Sequence, residues 1–329
     1  MSGATHPLVE ARGVVKSFER RSGIRGKVGP SVRAVNGVDL DVRAGETLGL
    51  VGESGSGKST LGRVLIRLLE PDAGSVRFDG VDLMALGATE LRRMRRQFQI
   101  VFQDPYGSLN PRMRIGAAIG EPLVIHKLVA NRAEKAEKVA MLLEQVGLDP
   151  SAAGRYPHEF SGGQRQRIGI ARAIACSPRF VVADEPVSAL DAPVQAQIIN
   201  LMIELQERLG LAYLFIAHDL RLVEQVCDRV AVMYLGRIVE QAPVAEFYSN
   251  PQHPYTQALL ASTPSQRPGS VTVSAITGEP PSQTELPTGC PFHPRCPVAE
   301  ARCSRTEPVL LATEGGHGVA CHLIHPQPG

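Results

Sequence analysis

Nine consecutive residues carry the clearest chemistry in this chain: Gly52-Glu53-Ser54-Gly55-Ser56-Gly57-Lys58-Ser59-Thr60. Glycines let backbone N–H groups wrap a phosphate with no side chain in the way, and a following helix adds the positive end of its dipole. A lysine at this position reaches the β- and γ-phosphates, and the next hydroxyl binds Mg²⁺. The pattern predicts a nucleoside triphosphate site with contacts from Gly52, Ser54, Gly55, Gly57, Lys58, Ser59 and Thr60.

A strand before this loop and a helix after it are needed to hold it in place. The segment Leu48 to Val51 is apolar and of strand length. After the loop, apolar residues recur at the i, i+3, i+4 and i+7 spacing of a helix, at Leu61, Val64, Leu65 and Leu68. The sequence therefore predicts a strand, a phosphate-binding loop and a helix in succession.

A second apolar segment, Phe180 to Ala183, ends in two acids, Asp184 and Glu185. In an ATPase with a phosphate-binding loop, the first acid holds Mg²⁺ and the second polarises the attacking water. Upstream, the run Ser161-Gly162-Gly163-Gln164 stands at a predicted helix start, where backbone N–H groups can meet an anion. One chain cannot easily supply two opposed phosphate cradles to one nucleotide, so we expect this run to act on a partner's nucleotide.

The order of the predicted elements indicates an α/β fold. After residue 178 an apolar strand is followed by a helix, Pro193 to Leu209, and by a second apolar strand, Leu211 to Ala217. Such alternation predicts a largely parallel sheet buried between helices. Residues 104–172 lack strand patterning, so we expect a helical subdomain within a nucleotide-binding domain of residues 1–260. Residues 261–329 are richer in Pro, Ser and Thr and are expected to form a small, irregular extension.

Composition excludes several classes of function. The chain of 329 residues is 43% hydrophobic and 21% charged, which is ordinary for a soluble globular protein. Its net charge of +2 gives no field that would indicate nucleic acid as a partner. No apolar run reaches the roughly 18–20 residues that span a bilayer, and the N-terminus lacks the pattern of a signal peptide. We therefore expect a cytoplasmic protein that acts at a membrane only through partners.

In this order, the motifs resemble those of the nucleotide-binding subunit of ABC transporters, over residues 9 to about 260. The resemblance implies an ABC ATPase core with a mixed sheet and flanking helices, and two cassettes that hold ATP between one phosphate-binding loop and the other's SGGQ. It implies that Gln103 senses Mg²⁺ and the attacking water and that His218 contacts the γ-phosphate. Asp191 ends the D-loop, and Phe18 is the candidate for stacking on adenine. Because Glu185 and His218 are both present, the site is expected to be competent for hydrolysis.

Two further stretches resemble the oligopeptide and dipeptide importers: residues 102–112, FQDPYGSLNPR, and residues 250–260, NPQHPYTQALL. An early insertion that ends in residues 32–38 resembles the second of the two ATPases in such systems. The resemblance implies a heterodimer with a related ATPase, two transmembrane permease subunits and an extracytoplasmic peptide-binding protein. It places the chain on the cytoplasmic face of the inner membrane. Alternatives are an importer of nickel or other small solutes and a soluble cassette ATPase acting on DNA or ribosomes.

Four of the six cysteines lie in the C-terminal extension, at Cys290, Cys296, Cys303 and Cys321. A cytosolic protein rarely keeps structural disulfides, so clustered thiols suggest a metal. The gaps of five, six and seventeen residues fit neither the common zinc-knuckle spacing nor the bacterial ferredoxin run. The resemblance implies a 4Fe–4S cluster held by these four thiolates. Zinc and the absence of any metal stay open as alternatives.

Overall fold

The computed structural model describes residues 6–19, 21–22, 27–28, 31–104, 107–262, 278–279, 281–312 and 315–325. Its strands are β1 (Val9–Phe18), β2 (Arg21–Ser22), β3 (Lys27–Val28), β4 (Val32–Val42), β5 (Thr47–Val51), β6 (Ala73–Phe78), β7 (Val81–Asp82), β8 (Phe98–Val101), β9 (Phe180–Asp184), β10 (Ala212–Ile216), β11 (Arg229–Tyr234), β12 (Arg237–Pro243), β13 (Leu311–Ala312) and β14 (Gly318–Val319).

The α-helices are α1 (Lys58–Leu65), α2 (Ala88–Met94), α3 (Ile115–Ile125), α4 (Arg132–Gln145), α5 (Gly162–Ile174), α6 (Ala192–Leu209), α7 (Leu220–Val226), α8 (Val244–Ser249) and α9 (Pro254–Ala261). Short 3₁₀ helices cover Pro150–Gly154, Pro157–Glu159, His293–Arg295 and Ala301–Ser304. Within the described ranges, no helix is long and apolar enough to cross a bilayer.

The chain divides into two compact units. The first comprises residues up to Leu8, Val42–Thr47 and Ala85–Ile216, and the second comprises Val9–Asp41, Leu48–Met84 and the chain from Ala217 onward. Each unit has its own sheet pairings and helices.

In the first unit, β8, β9 and β10 pair in parallel, with Phe98 and Ala212 both opposite Phe180. Every residue of β9 and β10 is buried, as expected for parallel strands covered on both faces. The helices α3, α4 and α5 pack on one another. Their presence agrees with the helical character predicted for residues 104–172, and Asn131 caps the first turn of α4 by accepting a hydrogen bond from the N–H of Glu134 at 2.9 Å.

In the second unit, one sheet contains β4, β1, β6 and β7 in that order. Its strand β6 pairs antiparallel with both β1 and β7. The strand β11 pairs in parallel with β5 and antiparallel with β12, which gives the mixed pairing that was predicted. The C-terminal strand β14 pairs with β12, with Val319 opposite Glu240, and β13 pairs with β14. The described part of the extension therefore continues the sheet that contains β5.

The helix after the phosphate-binding loop is shorter than the sequence predicts. Leu61, Val64 and Leu65 are buried on α1, but Leu68 is 46% exposed. The helix ends at Leu65 because the chain then turns, with Arg67 at a left-handed φ of 48°. The prediction that the helix continues as far as Leu68 was wrong.

Candidate nucleotide-binding site

Two glycines of the phosphate-binding loop, Gly52 and Gly57, occupy positions that leave no room for a side chain. Gly52 has φ 145°, and a Cβ there would lie 2.1 Å from the carbonyl oxygen of Met233. Gly57 has φ 107°, and a Cβ there would lie 2.0 Å from the carbonyl oxygen of Ala34. Both the backbone conformation and the close approach of neighbouring backbone therefore require glycine. The loop joins the buried strand β5 to α1, as predicted.

The side chain of Lys58 lies over this loop and is 5% exposed. Its Nζ donates to the carbonyl oxygens of Gly52 at 2.8 Å and Glu53 at 2.9 Å, with Ser56 Oγ at 3.4 Å. An ammonium group and the N-terminal end of α1 thus give the loop two sources of positive potential. The remaining predicted contacts are accessible: Ser54 and Gly55 are exposed, and Ser59 and Thr60 are partly exposed in the first turn of α1.

In the first unit, two predicted catalytic residues are in direct contact. Asp184 ends β9 and is 3% exposed, and Glu185 follows with a left-handed φ of 47°. The backbone N–H of Glu185 donates to the carbonyl oxygen of Ile216 at 3.1 Å. The amide Nε2 of Gln103 donates to Oε2 of Glu185 at 2.8 Å. Sequence reasoning placed both residues at the site but did not predict this bond, which orients the carboxylate.

The run SGGQ begins a helix, as predicted. Ser161 caps α5 in a capping box: Ser161 Oγ accepts from the N–H of Gln164 at 3.3 Å, and Gln164 Oε1 accepts from the N–H of Ser161 at 3.0 Å. A Cβ at Gly163 would lie 2.4 Å from a methyl group of Val194, so only glycine fits against α6. Asp191 caps α6 by accepting from the N–H of Val194 at 3.0 Å.

Two other predicted residues, His218 and Phe18, lie in the second unit. His218 is exposed in the connection before α7, next to Asp219, which caps that helix by accepting from the N–H of Arg221 at 3.0 Å. Phe18 ends β1 and is 39% exposed, and the Nζ of Lys16 lies 5.8 Å from the centre of its ring. Both side chains are accessible to a ligand, and their roles stay predictions.

The four cysteines of the extension are free thiols, and those of Cys290, Cys303 and Cys321 are buried. The pKa of the Cys290 thiol is raised to about 11, chiefly by burial, with smaller contributions from the other three cysteines and an opposing one from the backbone of Phe292. Burial likewise raises the pKa of Cys296, with contributions from Cys321 and Cys303. The thiols therefore lie near enough to affect one another's ionisation.

The prediction of a metal at these cysteines finds no support. Among the described residues, no group of three or more His, Cys, Asp and Glu side chains could hold a metal ion. The donor set of four thiols is the chemistry that an iron–sulfur cluster takes, but the geometry does not supply a coordinating group. The prediction that the four cysteines of the extension hold an iron–sulfur cluster is therefore not confirmed.

Sequence reasoning missed residues that contact the phosphate-binding loop from far along the chain. The guanidinium of Arg295 binds both carboxylate oxygens of Glu53, at 2.9 and 3.1 Å. The backbone N–H of Glu53 donates to the hydroxyl of Tyr255 at 2.8 Å. These partners are 242 and 202 positions from Glu53, so no local spacing could have indicated them.

Known proteins are similar to this chain along nearly its whole length. Residues 35–188 match the family model described as ABC transporter, and residues 239–303 match the C-terminal region of oligopeptide/dipeptide transporters. The chain is 53% identical over 321 residues to the oligopeptide transport ATP-binding protein AppF of Bacillus subtilis, covering 96% of this chain and 97% of AppF. It is 51% identical over 316 residues, with the same coverage, to a Brucella ovis protein described provisionally as a peptide import ATP-binding protein.

The chain belongs to the ATP-binding proteins of the oligopeptide/dipeptide family of ABC importers. Solved structures agree on the fold. The ATP-binding cassette MJ0796, in a dimeric post-hydrolysis state with ADP and phosphate, matches with a TM-score of 0.63 and 27% identity over 72% of this chain and 99% of its own. CbiO1 of Clostridium perfringens, part of the cbiONQ transporter complex, matches with a TM-score of 0.63 and 25% identity over 74% of this chain and 91% of its own.

Membership of this family confirms the predicted ABC ATPase fold and the predicted activity. As an ABC ATPase, the protein couples ATP hydrolysis to transport. The residues assigned to individual steps, and the division into domains at residue 260, stay predictions.

Proposed function

We propose that this ABC ATPase powers the import of peptides through a membrane permease. The observation that carries the proposal is the identity of more than half of the residues to AppF over 96% of the chain, including the C-terminal region typical of peptide transporters. That region lies outside the shared cassette, so it separates this family from ABC ATPases in general.

Hydrolysis proceeds by attack of water on the γ-phosphorus, with release of ADP and phosphate. Lys58 binds the β- and γ-phosphates, where its positive charge offsets the charge that develops in the transition state. Glu185 polarises the attacking water and accepts its proton, and the 2.8 Å bond from Gln103 holds the carboxylate in position. The strained φ of Glu185 is consistent with a residue fixed for chemistry.

The donor set suits Mg²⁺, which prefers hard oxygen ligands. The hydroxyl of Ser59, in the first turn of α1, and the carboxylate of Asp184, at the end of β9, would hold the ion, with the amide oxygen of Gln103 as a further ligand. When bound, Mg²⁺ neutralises charge on the phosphates.

ATP is held between two cassettes. The exposed Ser161 and Gln164 and the backbone of Gly162 and Gly163 bind the phosphates of the nucleotide in the partner cassette. Support comes from MJ0796, whose dimeric structure contains ADP and phosphate. In this arrangement Asp191 lies at the dimer contact, His218 contacts the γ-phosphate, and Phe18 stacks on adenine.

The partners are a second, related ATPase, two permease subunits and an extracytoplasmic peptide-binding protein. The protein therefore works on the cytoplasmic face of the inner membrane, bound through the permease.

The 4Fe–4S cluster stays a prediction without structural support. Analysis of iron and acid-labile sulfide in protein purified without oxygen tests it. About four irons per chain, lost in Cys296→Ser, would establish it.

Uptake by cells that lack this protein tests the function. Cells that regain the parental chain should regain uptake of a labelled peptide, whereas cells given Glu185→Gln should not. Glu207→Gln, an exposed acid on α6, is the matched control and should restore uptake. Restored uptake of nickel with no effect on peptides would favour the small-solute alternative, and no change in either solute would contradict a role in import.

A further inference from the structure

The second residue of the phosphate-binding loop is held by a side chain of the C-terminal extension. Arg295 pairs with Glu53 through two N–H donors, at 2.9 and 3.1 Å, and the Arg295 side chain is only 6% exposed. A bidentate hydrogen bond between a guanidinium and a carboxylate fixes the orientation of the two groups as well as their distance. Arg295 also donates to the hydroxyl of Tyr234 at 3.3 Å, so its position is set by a second, independent group.

A cluster of three aromatic rings, Phe292, Tyr234 and Tyr255, contacts the same loop residue. Phe292 of the extension is 1% exposed, and its ring centre lies 5.4 Å from the rings of both Tyr234 and Tyr255. The two tyrosine rings lie 4.6 Å apart. Because the hydroxyl of Tyr255 accepts the backbone N–H of Glu53, the cluster reaches the loop itself. Glu53 is thus held at its backbone by the cluster and at its carboxylate by Arg295.

A third contact comes from the start of the described extension. The side-chain amide of Gln283 donates to the carbonyl oxygen of Gly55. Beside this contact lies a cavity of about 140 Å³, lined by residues 53–56 of the loop and by Gln283 and Tyr234. The loop is therefore not packed solid on this side. The Gln283 amide is a polar contact from the extension at the edge of this space.

We propose that the C-terminal extension is a brace for the phosphate-binding loop and that Arg295 is a positioning residue for nucleotide binding. The proposal rests on the proposed nucleotide function of the loop. Without Arg295, the carboxylate of Glu53 would be unpaired and partly buried, on a loop that must receive a highly charged phosphate chain. Repulsion between this unpaired carboxylate and the phosphates would weaken ATP binding.

Equilibrium binding of ATP to the full-length chain tests the proposal. Arg295→Met should raise the Kd for ATP about tenfold, the loss expected for one hydrogen-bonded charge pair. Glu53→Gln alone should change the Kd by less than about threefold, since it removes both the bond and the negative charge. The double variant Glu53→Gln/Arg295→Met should bind ATP about as well as Glu53→Gln, because no unpaired carboxylate remains. The matched control is Arg305→Met, an exposed arginine of the same extension.

Recovery of ATP affinity in the double variant would not be expected if Arg295→Met acted only through a general loss of packing. If Arg295→Met does not fold, Arg295→Lys replaces it, with an expected rise in Kd of about threefold because the charge stays but the fork is lost. Binding by Arg295→Met equal to that of Arg305→Met, or a double variant as weak as Arg295→Met, would overturn the proposal. Failure of the parental chain to bind ATP would overturn the proposed nucleotide function and this inference with it.

Discussion

The phosphate-binding loop and the C-terminal extension differ in how their structures are encoded. The loop is specified by nine neighbouring residues, and its glycines, Lys58 and α1 follow in the order that the chemistry requires. The extension is held by partners far away in the chain, such as Glu53 for Arg295 and β12 for β14. A site encoded locally can be recognised from sequence, whereas contacts between distant segments become visible only in the folded chain.

The loop should be the more sensitive of the two regions to a single substitution. Lys58→Ala removes the ammonium group that binds the phosphates, so we expect the Kd for ATP to rise at least about a hundredfold. Isothermal titration with ATP measures this, and Arg63→Ala, an exposed position on the same helix, is the control. Near-parental affinity in Lys58→Ala would contradict the assignment of the loop.

The extension is predicted to be part of the core of the second unit. Phe292→Ala should lower the free energy of unfolding by about 3–5 kcal/mol, because the buried ring packs on Tyr234 and Tyr255. Urea unfolding of Phe292→Ala, compared with Val298→Ala, tests this. Val298 is 51% exposed, so its truncation should cost less than about 0.5 kcal/mol. Equal stability of the two variants would contradict the placement of Phe292 in the core of the second unit.

A smaller effect depends on pH and arises outside both regions, at the residue that caps α9. His253 is 1% exposed, and burial lowers its pKa from 6.5 to about 3. The unfolded chain takes up a proton below about pH 6.5 that the folded chain does not, so stability falls as the pH drops toward 3. From pH 7 to pH 5 this residue alone should reduce the free energy of unfolding by about 2 kcal/mol.

Urea unfolding at the two pH values checks this effect. His253→Asn should show the smaller pH dependence, since an Asn side chain does not titrate. It can still accept from the N–H of Tyr255, as His253 Nδ1 does at 3.0 Å. The control His158→Asn changes an exposed histidine and should leave the dependence unchanged. A parental chain no more sensitive to acid than His253→Asn would remove His253 as the cause.

Local signals explain which parts of the structure could be predicted. Asn131, Ser161 and Asp191 each cap a helix with their own side chains. The helices that follow Ser161 and Asp191 begin within one residue of the predicted position. Leu68 shows the limit of periodicity, because a left-handed residue turned the chain before the pattern ended. The bond between Gln103 and Glu185 could not be read from either motif, since it depends on the folding of residues 82 positions apart.

The cysteines show a different limit. Their grouping in sequence predicts that they lie near one another, and their mutual effect on pKa agrees. The distances between thiols, which decide whether a metal is held, depend on the loops between Cys290 and Cys321. Within the residues described, those loops do not assemble a metal-binding group.

ATP hydrolysis in membrane vesicles that carry the complete transporter tests the central claim most directly. With Glu185→Gln in place of the parental chain, we predict that ATP still binds with a near-parental Kd while turnover falls about 10²–10⁴-fold, the range for loss of a general base. The variant keeps the size of the side chain, so loss of binding is not expected. Turnover at the parental rate would contradict the assignment of Glu185 and the mechanism built on it.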